Sequence, residues 1–526
     1  MTAGDWRFLL PVPEGGYGHL AVLGGPPALL AFLEESGLAR RVASTLPPDR
    51  SADAIAVLHG SGVAPWEAAR GLAPGGVLYA EVQGAYKLRW TVRRLRAMGL
   101  RATGAWAFWP RFDLYQVAAP LHVEGALRWW AETLYPARTI RKRMIEAVLR
   151  TLDGRGAWAL TRCFGVMAGP SPPWPPSPIP SHPPGEGGND KIGFSGGRWR
   201  PSPGGREGMG EGTGVRGLLL SHGAERAIIL PFPLSTVLKV PRRAAFVLKT
   251  EAEQCLLDRA RSLADESTRR AIPQPGGMVR WGTSPAGSES FAPGVSLERS
   301  GVRWGRPLRE KIEDLRIAAS WITAFQAGAV LRREPWGPCA TAEWIEAPFA
   351  VFRGLCRAGE REERLLERAQ RHAASLAGLP LPIVWRHRDF TPWNLFRAGD
   401  ELRVVDWEGL RPGPALCDLL HFAIHWHEQA RRVSGAASRR AAFRDLFVAP
   451  HPGPAAAAAR GEIAVCCRRL GIDLRFVPLL LLHTRLEIAA RRAERPGGAP
   501  GPWDAADAAY VTFLADAGEA LFEAWR

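Results

Sequence analysis

The sequence predicts a multidomain chain, an α/β body followed by an α+β body, joined by a segment that builds no core. Three observations carry this. The chain has 526 residues, 46% hydrophobic and 23% charged, enough for about three units of domain size with an ordinary packed interior. Residues 166–215 hold 11 Pro and 13 Gly, nearly half of that segment against about a fifth of the whole chain. Before that segment short apolar runs alternate with helical ones, whereas after it three apolar runs follow one another and helical periodicity comes later.

In the first body, HLAVLGG (19–25) reads as a strand ending in glycines and PPALLAFLEESG as a helix opened by proline. DAIAVLHG (53–60) is a buried strand, APWEAARGL a helix, and VLYAEV (77–82) a strand after the turn APGG. The helix KLRWTVRRLRAMG and two strands near ATGAWAF and LYQVA complete a mainly parallel sheet flanked by helices over residues 1–165. Residues 166–215 cannot bury enough apolar surface to offset their ordering entropy, which predicts a linker. Then GLLLSHGAERAIILPFPLSTVLKVPRR has three apolar runs divided by short turns, as in an antiparallel sheet, and AAFVLKTEAEQCLLDRARSL is a helix. Residues 216–300 form this smaller lobe, and residues 301–526 a larger one that ends in helices.

Composition excludes several classes. No run of eighteen apolar residues occurs, and the opening MTAGDWRF carries charges where a signal peptide needs an apolar core, so a cytoplasmic protein with no membrane partner is expected. Seven widely spaced cysteines, without a C-x-x-C pair, read as reduced thiols. The net charge of +16 suggests nucleic acid, but only six of the 68 basic residues are lysines and the arginines are interspersed with Glu. No specific nucleic-acid partner is expected.

The chemistry lies in VWRHRDFTPWNLFRAGDELRVVDWE (384–408). Asp389 is followed five residues on by Asn394, and Asp406 ends the apolar strand LRVVD. Phosphoryl transfer needs such types: one carboxylate for the acceptor hydroxyl's proton, an amide oxygen and a second carboxylate for magnesium. With only two asparagines in the chain, a chance His-x-Asp-x-x-x-x-Asn is expected on the order of 0.002 times. These residues resemble the aminoglycoside phosphotransferase and choline kinase superfamily of small-molecule kinases over residues 216–526. The resemblance implies a two-lobed protein-kinase-like fold, with Asp389 as catalytic base, His387 supporting the loop, and Asn394 and Asp406 as Mg²⁺ ligands. Trp407 and Glu408 stand in place of a protein kinase's Phe-Gly, which points to a small-molecule hydroxyl as acceptor.

Lys239, alone among apolar neighbours in STVLKVPR, reads as the charge for the phosphates of ATP or GTP. Either Glu251 or Glu253 would orient it, and Glu251 is preferred. GSESFAPG (287–294) resembles the hinge, where backbone at Ser288, Glu289, Ser290 and Phe291 would meet the nucleotide base. The turn SHGAER (221–226) has a single glycine. Asp418 reads as a helix-start or loop-anchoring residue, and His421 and His425 share a helical face without a metal-site context.

The first body resembles a class I S-adenosylmethionine-dependent methyltransferase, with DAIAVLHG…ARGLAPGGVLYAEV as that family's fourth and fifth strands, which implies a Rossmann-like domain. Its cofactor loop would be Gly24-Gly25-Pro26-Pro27 or, in another register, Glu14–Gly18 after a strand at Phe8–Val12. The second strand, RRVASTLPP, ends without the carboxylate that would hold the ribose, so a degenerate domain is expected. The function expected is transfer of the γ-phosphate to a small molecule's hydroxyl. The alternatives are a pseudokinase or scaffold that binds without transfer, and an active methyltransferase.

Overall fold

The computed structural model describes residues 10–109, 117–133, 163–169, 217–493 and 502–526, with short gaps inside these stretches. Strands β1 (Tyr17–Leu23), β2 (Ala39–Ala43), β3 (Ala52–Val57) and β4 (Leu72–Gln83) are parallel in the order β2-β1-β3-β4. Leu20–Leu23, Ala54–Val57 and Leu78–Ala80 are buried, the near-continuous apolar runs of strands covered on both faces. Helix α1 (Pro27–Glu35) links β1 to β2, and α2 (Ala85–Ala97) leads from β4 to β5 (Arg101–Trp109). Strand β6 (Val117–Pro120) pairs with the outer edge of β5, while β7 (Cys163–Gly169) inserts antiparallel between β4 and β5. Gly165 makes that insertion possible, since a Cβ there would stand 2.7 Å from Phe108 and 3.0 Å from Tyr79.

Two expectations change here. The first body runs to Gly169 rather than 165, because the buried side chains of Phe164, Val166 and Met167 outweigh the glycines beside them; residues 170–215 lie outside the described residues. Gly18 lies inside β1, so the register with Glu14–Gly18 as a loop after a strand does not hold, and the turn after β1 passes through Gly24 and Gly25.

Strands β8 (Gly217–His222), β9 (Arg226–Pro231), β10 (Thr236–Pro241), β11 (Pro275–Trp281) and β12 (Ser284–Ser290) form an antiparallel array in the order β8-β9-β10-β12-β11. This array is not a separate sheet. Val117 and Ala118 of β6 pair with Leu220 and Leu219 of β8, so twelve strands form one continuous sheet across both halves of the chain. Each edge strand supplies the ladder partner that the other lacks. Helix α3 (Ala126–Thr133) seals the seam, with Trp130 packed in one cluster with Val117, Ala119 and Leu230. Trp129 sets its ring 5.8 Å from that of Phe291.

Helix α4 (Val247–Leu263) covers β11 and β12. The larger lobe starts near residue 295 rather than 301, because β13 (Val295–Ser296) already pairs with one of its strands and Leu297 lies in its core. It holds α5 (Leu308–Gly328), β14 (Val330–Pro335), β15 (Pro380–Arg386), β16 (Leu395–Ala398), β17 (Glu401–Val404), β18 (Arg411–Pro414), α6 (Cys417–Ala430), α7 (Ala436–Phe447), α8 (Pro454–Leu470) and α9 (Val477–Ala493). Its strands form two three-stranded sheets, β13-β16-β17 and β14-β15-β18. Among the described residues, no helix is long and apolar enough to cross a membrane.

If the seam makes the two halves one cooperative unit, Trp130→Ala should cost about 3–5 kcal/mol in urea unfolding. Hydrogen exchange should then quicken in both β6 and β9; quickening confined to the first body would show that the halves unfold independently.

Candidate active site

The loop 387–394 lies between β15 and β16, and β17 returns antiparallel to β16 to bring Asp406 alongside. The loop is fastened from behind. Asp418, 1% exposed in the first turn of α6, accepts from the backbone N–H groups of His387 and Arg388, both at 2.9 Å, and from Gln326 Nε2 at 3.2 Å. These bonds hold Arg388 at φ 66°, a left-handed conformation costly for a side-chain-bearing residue; Asp406 (φ 68°) and Leu416 (φ 74°) share it. Gln326 Oε1 accepts from Leu416 N at 3.1 Å. Behind the loop, Glu487 lies 3.1 Å from Arg386 and 2.7 Å from Arg388. Burial would raise its carboxyl, but Arg386 and the other cations hold it well below the usual carboxylate range.

His387 is fully buried, with its ring 4.5 Å from that of Trp407. Its Nδ1 accepts from Asp389 N at 3.3 Å, which leaves the proton on Nε2 to donate to Val405 O at 3.0 Å. His387 thus ties the loop to the strand that carries Asp406, and its ring bonds go to backbone atoms. Its place is behind the loop, where it holds main chain to main chain.

Asp389 is one-third exposed and so can be reached from the cleft. Asn394 Nδ2 donates to Asp389 Oδ2 and to its main-chain oxygen, both at 2.9 Å, which leaves the Asn394 amide oxygen as an acceptor. Val405 N donates to Asn394 O at 3.0 Å, so Asp389, Asn394 and the Asp406 strand form one unit. Sequence reasoning missed His421. Its Nε2 lies 3.8 Å from Asp389 Oδ1, and its Nδ1 is 3.0 Å from Arg485 Nη2. Arginine can only donate, so the ring hydrogen sits on Nε2, toward the carboxylate. The signal is the i, i+4 pair of histidines, His421 and His425, on the helix that Asp418 opens. Among the described residues no set of three His, Cys, Asp or Glu side chains could hold a metal.

Across the cleft, Lys239 on β10 is 5% exposed, hydrogen-bonded to Glu253 and 3.0 Å from Glu289. Burial alone would lower its pKa, but Glu289 and Glu253 outweigh that and raise it, so it is a fixed cation. The partner on α4 is Glu253, and Glu251 is exposed. Helix phase decides this: Thr250, Glu253, Gln254, Leu257 and Ala260 form the buried stripe, and Glu251 points away from it. The expected base-binding stretch lies at the end of β12. Ser288, Glu289 and Ser290 lie within the β10-β12-β11 ladder, and the Glu289 side chain serves Lys239. The N–H groups of Ser290 and Phe291 already donate to Gln274 O and Ser235 O, at 2.8 and 2.9 Å. Phe291 is the first residue past the ladder.

Arg226, the first residue of β9, was not singled out from the sequence. It bonds Glu253 and Glu408 and lies 3.8 Å from Asp406, so one guanidinium spans both lobes. Burial opposes its charge, and the three carboxylates more than restore it.

Residues 293–459 match the profile of the Phosphotransferase enzyme family. No curated protein matches the chain. Among solved structures, an amicoumacin kinase in complex with AMP-PNP and Ca²⁺ is 10% identical at a TM-score of 0.35, over 57% of this chain and 88% of that one. An aminoglycoside phosphotransferase in a ternary complex with AMP-PNP and hygromycin B is 14% identical at a TM-score of 0.36, over 59% and 93%. A macrolide 2'-phosphotransferase from Brachybacterium faecium is 15% identical at 0.33, over 58% and 90%.

Glu253→Gln should cost about 1–3 kcal/mol in urea unfolding, since it strips a charge-assisted acceptor from two cations. Glu251→Gln should stay within about 0.5 kcal/mol. Equal effects would contradict the pairing.

Proposed function

We propose that the chain transfers the γ-phosphoryl group of ATP or GTP to a hydroxyl of a small molecule in the cytoplasm. The observation that carries this is the single hydrogen-bonded unit formed by Asp389, Asn394 and the strand of Asp406, facing a buried Lys239–Glu253 pair. The family match over residues 293–459 supports the same reaction class.

Asp389 would take the acceptor's proton as the new O–P bond forms and the bond to the nucleoside diphosphate breaks. The Asn394 amide keeps its carboxylate oriented, and the His421 N–H faces its second oxygen. Lys239 is held ready to neutralise phosphate charge. An amide oxygen and a carboxylate suit Mg²⁺, which keeps several waters and takes its other ligands from phosphates, so Asn394 and Asp406 fit it. When bound, it would neutralise charge on the phosphates.

A second reading, binding without transfer, is favoured by Arg226, whose guanidinium already engages Asp406 and Glu408. For the first body we infer a methyltransferase-like domain that no longer methylates. The turn after β1 is short, and β2 ends at Ala43 with no carboxylate following.

Phosphorus NMR of ATP with a panel of hydroxylated small molecules tests the transfer. Asp389→Asn should lower turnover at least about 10²-fold while nucleotide affinity stays within about threefold. Turnover near wild type in that variant would remove Asp389 from the reaction.

A further inference from the structure

A second site lies in the larger lobe, apart from the catalytic loop. The start of α5, the end of α6, α7 and the start of α8 line an open cleft of about 1070 Å³. Ala430, at its wall, is nine residues beyond His421 on α6, about 13 Å along the helix. Five cations line this cleft, Arg306, Lys311, Arg431, Arg432 and Arg444, against one carboxylate among the described lining residues, Asp445.

That carboxylate is already engaged. Asp445 lies 2.8 Å from Arg431 and 3.2 Å from His427, and accepts from Gly453 N at 2.9 Å. Arg306 is bound to Asp314 and lies 3.3 Å from Glu310. Lys311 is different. It is 4% exposed, yet its ammonium bonds only to the main-chain oxygen of Ala430 at 3.3 Å, with no carboxylate in ion-pair reach among the described residues. A buried cation without a counter-charge is costly, and burial together with Arg432 and Arg306 pushes its pKa down. Arg444, exposed at the rim, makes no ion pair with a described residue. Leu308, Val448 and Pro454 supply an apolar wall.

We infer that this cleft binds a phosphate-bearing small molecule, with the dianionic phosphoryl group on Lys311 and Arg444 and an apolar body against Leu308 and Val448. A dianion supplies the counter-charge that Lys311 lacks, and two donors hold it by charge-assisted hydrogen bonds. The inference does not depend on the reaction at Asp389.

Calorimetry of the full chain with phenyl phosphate, in EDTA and at constant ionic strength, tests it, with inorganic phosphate as the second arm. The expected result is one saturable site, weakened about tenfold in Lys311→Met and severalfold in Arg444→Ala. Phenyl phosphate binding the tighter of the two would assign the apolar wall to an organic phosphate, and equal affinities would assign the site to free phosphate. Hydrogen exchange should slow at the start of α8 on binding. Lys311→Met should fold with an unchanged or higher thermal midpoint, and phenyl phosphate should raise the midpoint of the wild type more than that of either variant. Lack of saturation at about ten millimolar, or equal affinity in all three proteins, would overturn the site and leave Lys311 as a cap on α6. A lower midpoint in Lys311→Met with no anion response in the wild type would overturn it in the same way.

Discussion

One buried carboxylate sets the geometry of the catalytic loop. Asp418 receives two successive backbone N–H groups, those of His387 and Arg388, and these bonds help offset the cost of the left-handed turn at Arg388. That turn sends the His387 ring into the core and the Asp389 carboxylate toward the cleft. His387 then fastens the loop to Val405, and Asn394 fastens both to Asp389, so the separation between Asp389 and Asp406 is set by bonds to the main chain. The anchor itself is supported by Gln326 and flanked by Arg386, which turns a buried charge into part of a satisfied network.

The cleft is an electrostatic balance between lobes. Glu253, Glu289, Asp406 and Glu408 face Lys239 and Arg226, and Arg226 connects acids of the two lobes. It stands directly after the turn that has only one glycine, where a glycine-rich turn would offer bare backbone to phosphates. The same guanidinium competes for Asp406, so occupation of the cleft by a polyphosphate and a cation requires it to change partners.

Much of this was legible in the sequence where the constraint is local. The spacing of Asp389, Asn394 and Asp406 lies within one loop and one strand pair, and strands such as VLYAEV declare themselves as apolar runs between turns. What could not be read depends on phase or on distance. Glu251 and Glu253 differ only in which face of α4 they occupy, and that face is set by packing on β11 and β12. That the N–H groups of Ser290 and Phe291 are donated to Gln274 O and Ser235 O depends on chain segments that no local pattern brings together. The pairing of β6 with β8 joins edges about a hundred residues apart, and no local pattern encodes it. Arg226 and His421 act through partners far along the chain, so neither stood out as a motif.

The most direct test of the Asp389–Asn394–Asp406 site is the thermal unfolding of the full chain with AMP-PNP, with and without Mg²⁺, repeated on Asp406→Ala. The full chain is needed because β6 completes the sheet of the smaller lobe. Ligand at a hundred times its dissociation constant adds about 2.7 kcal/mol, a shift of a few degrees. The account predicts a Mg²⁺-dependent shift in the wild type that disappears in the variant. No shift in the wild type, or the same shift in both proteins, would contradict it.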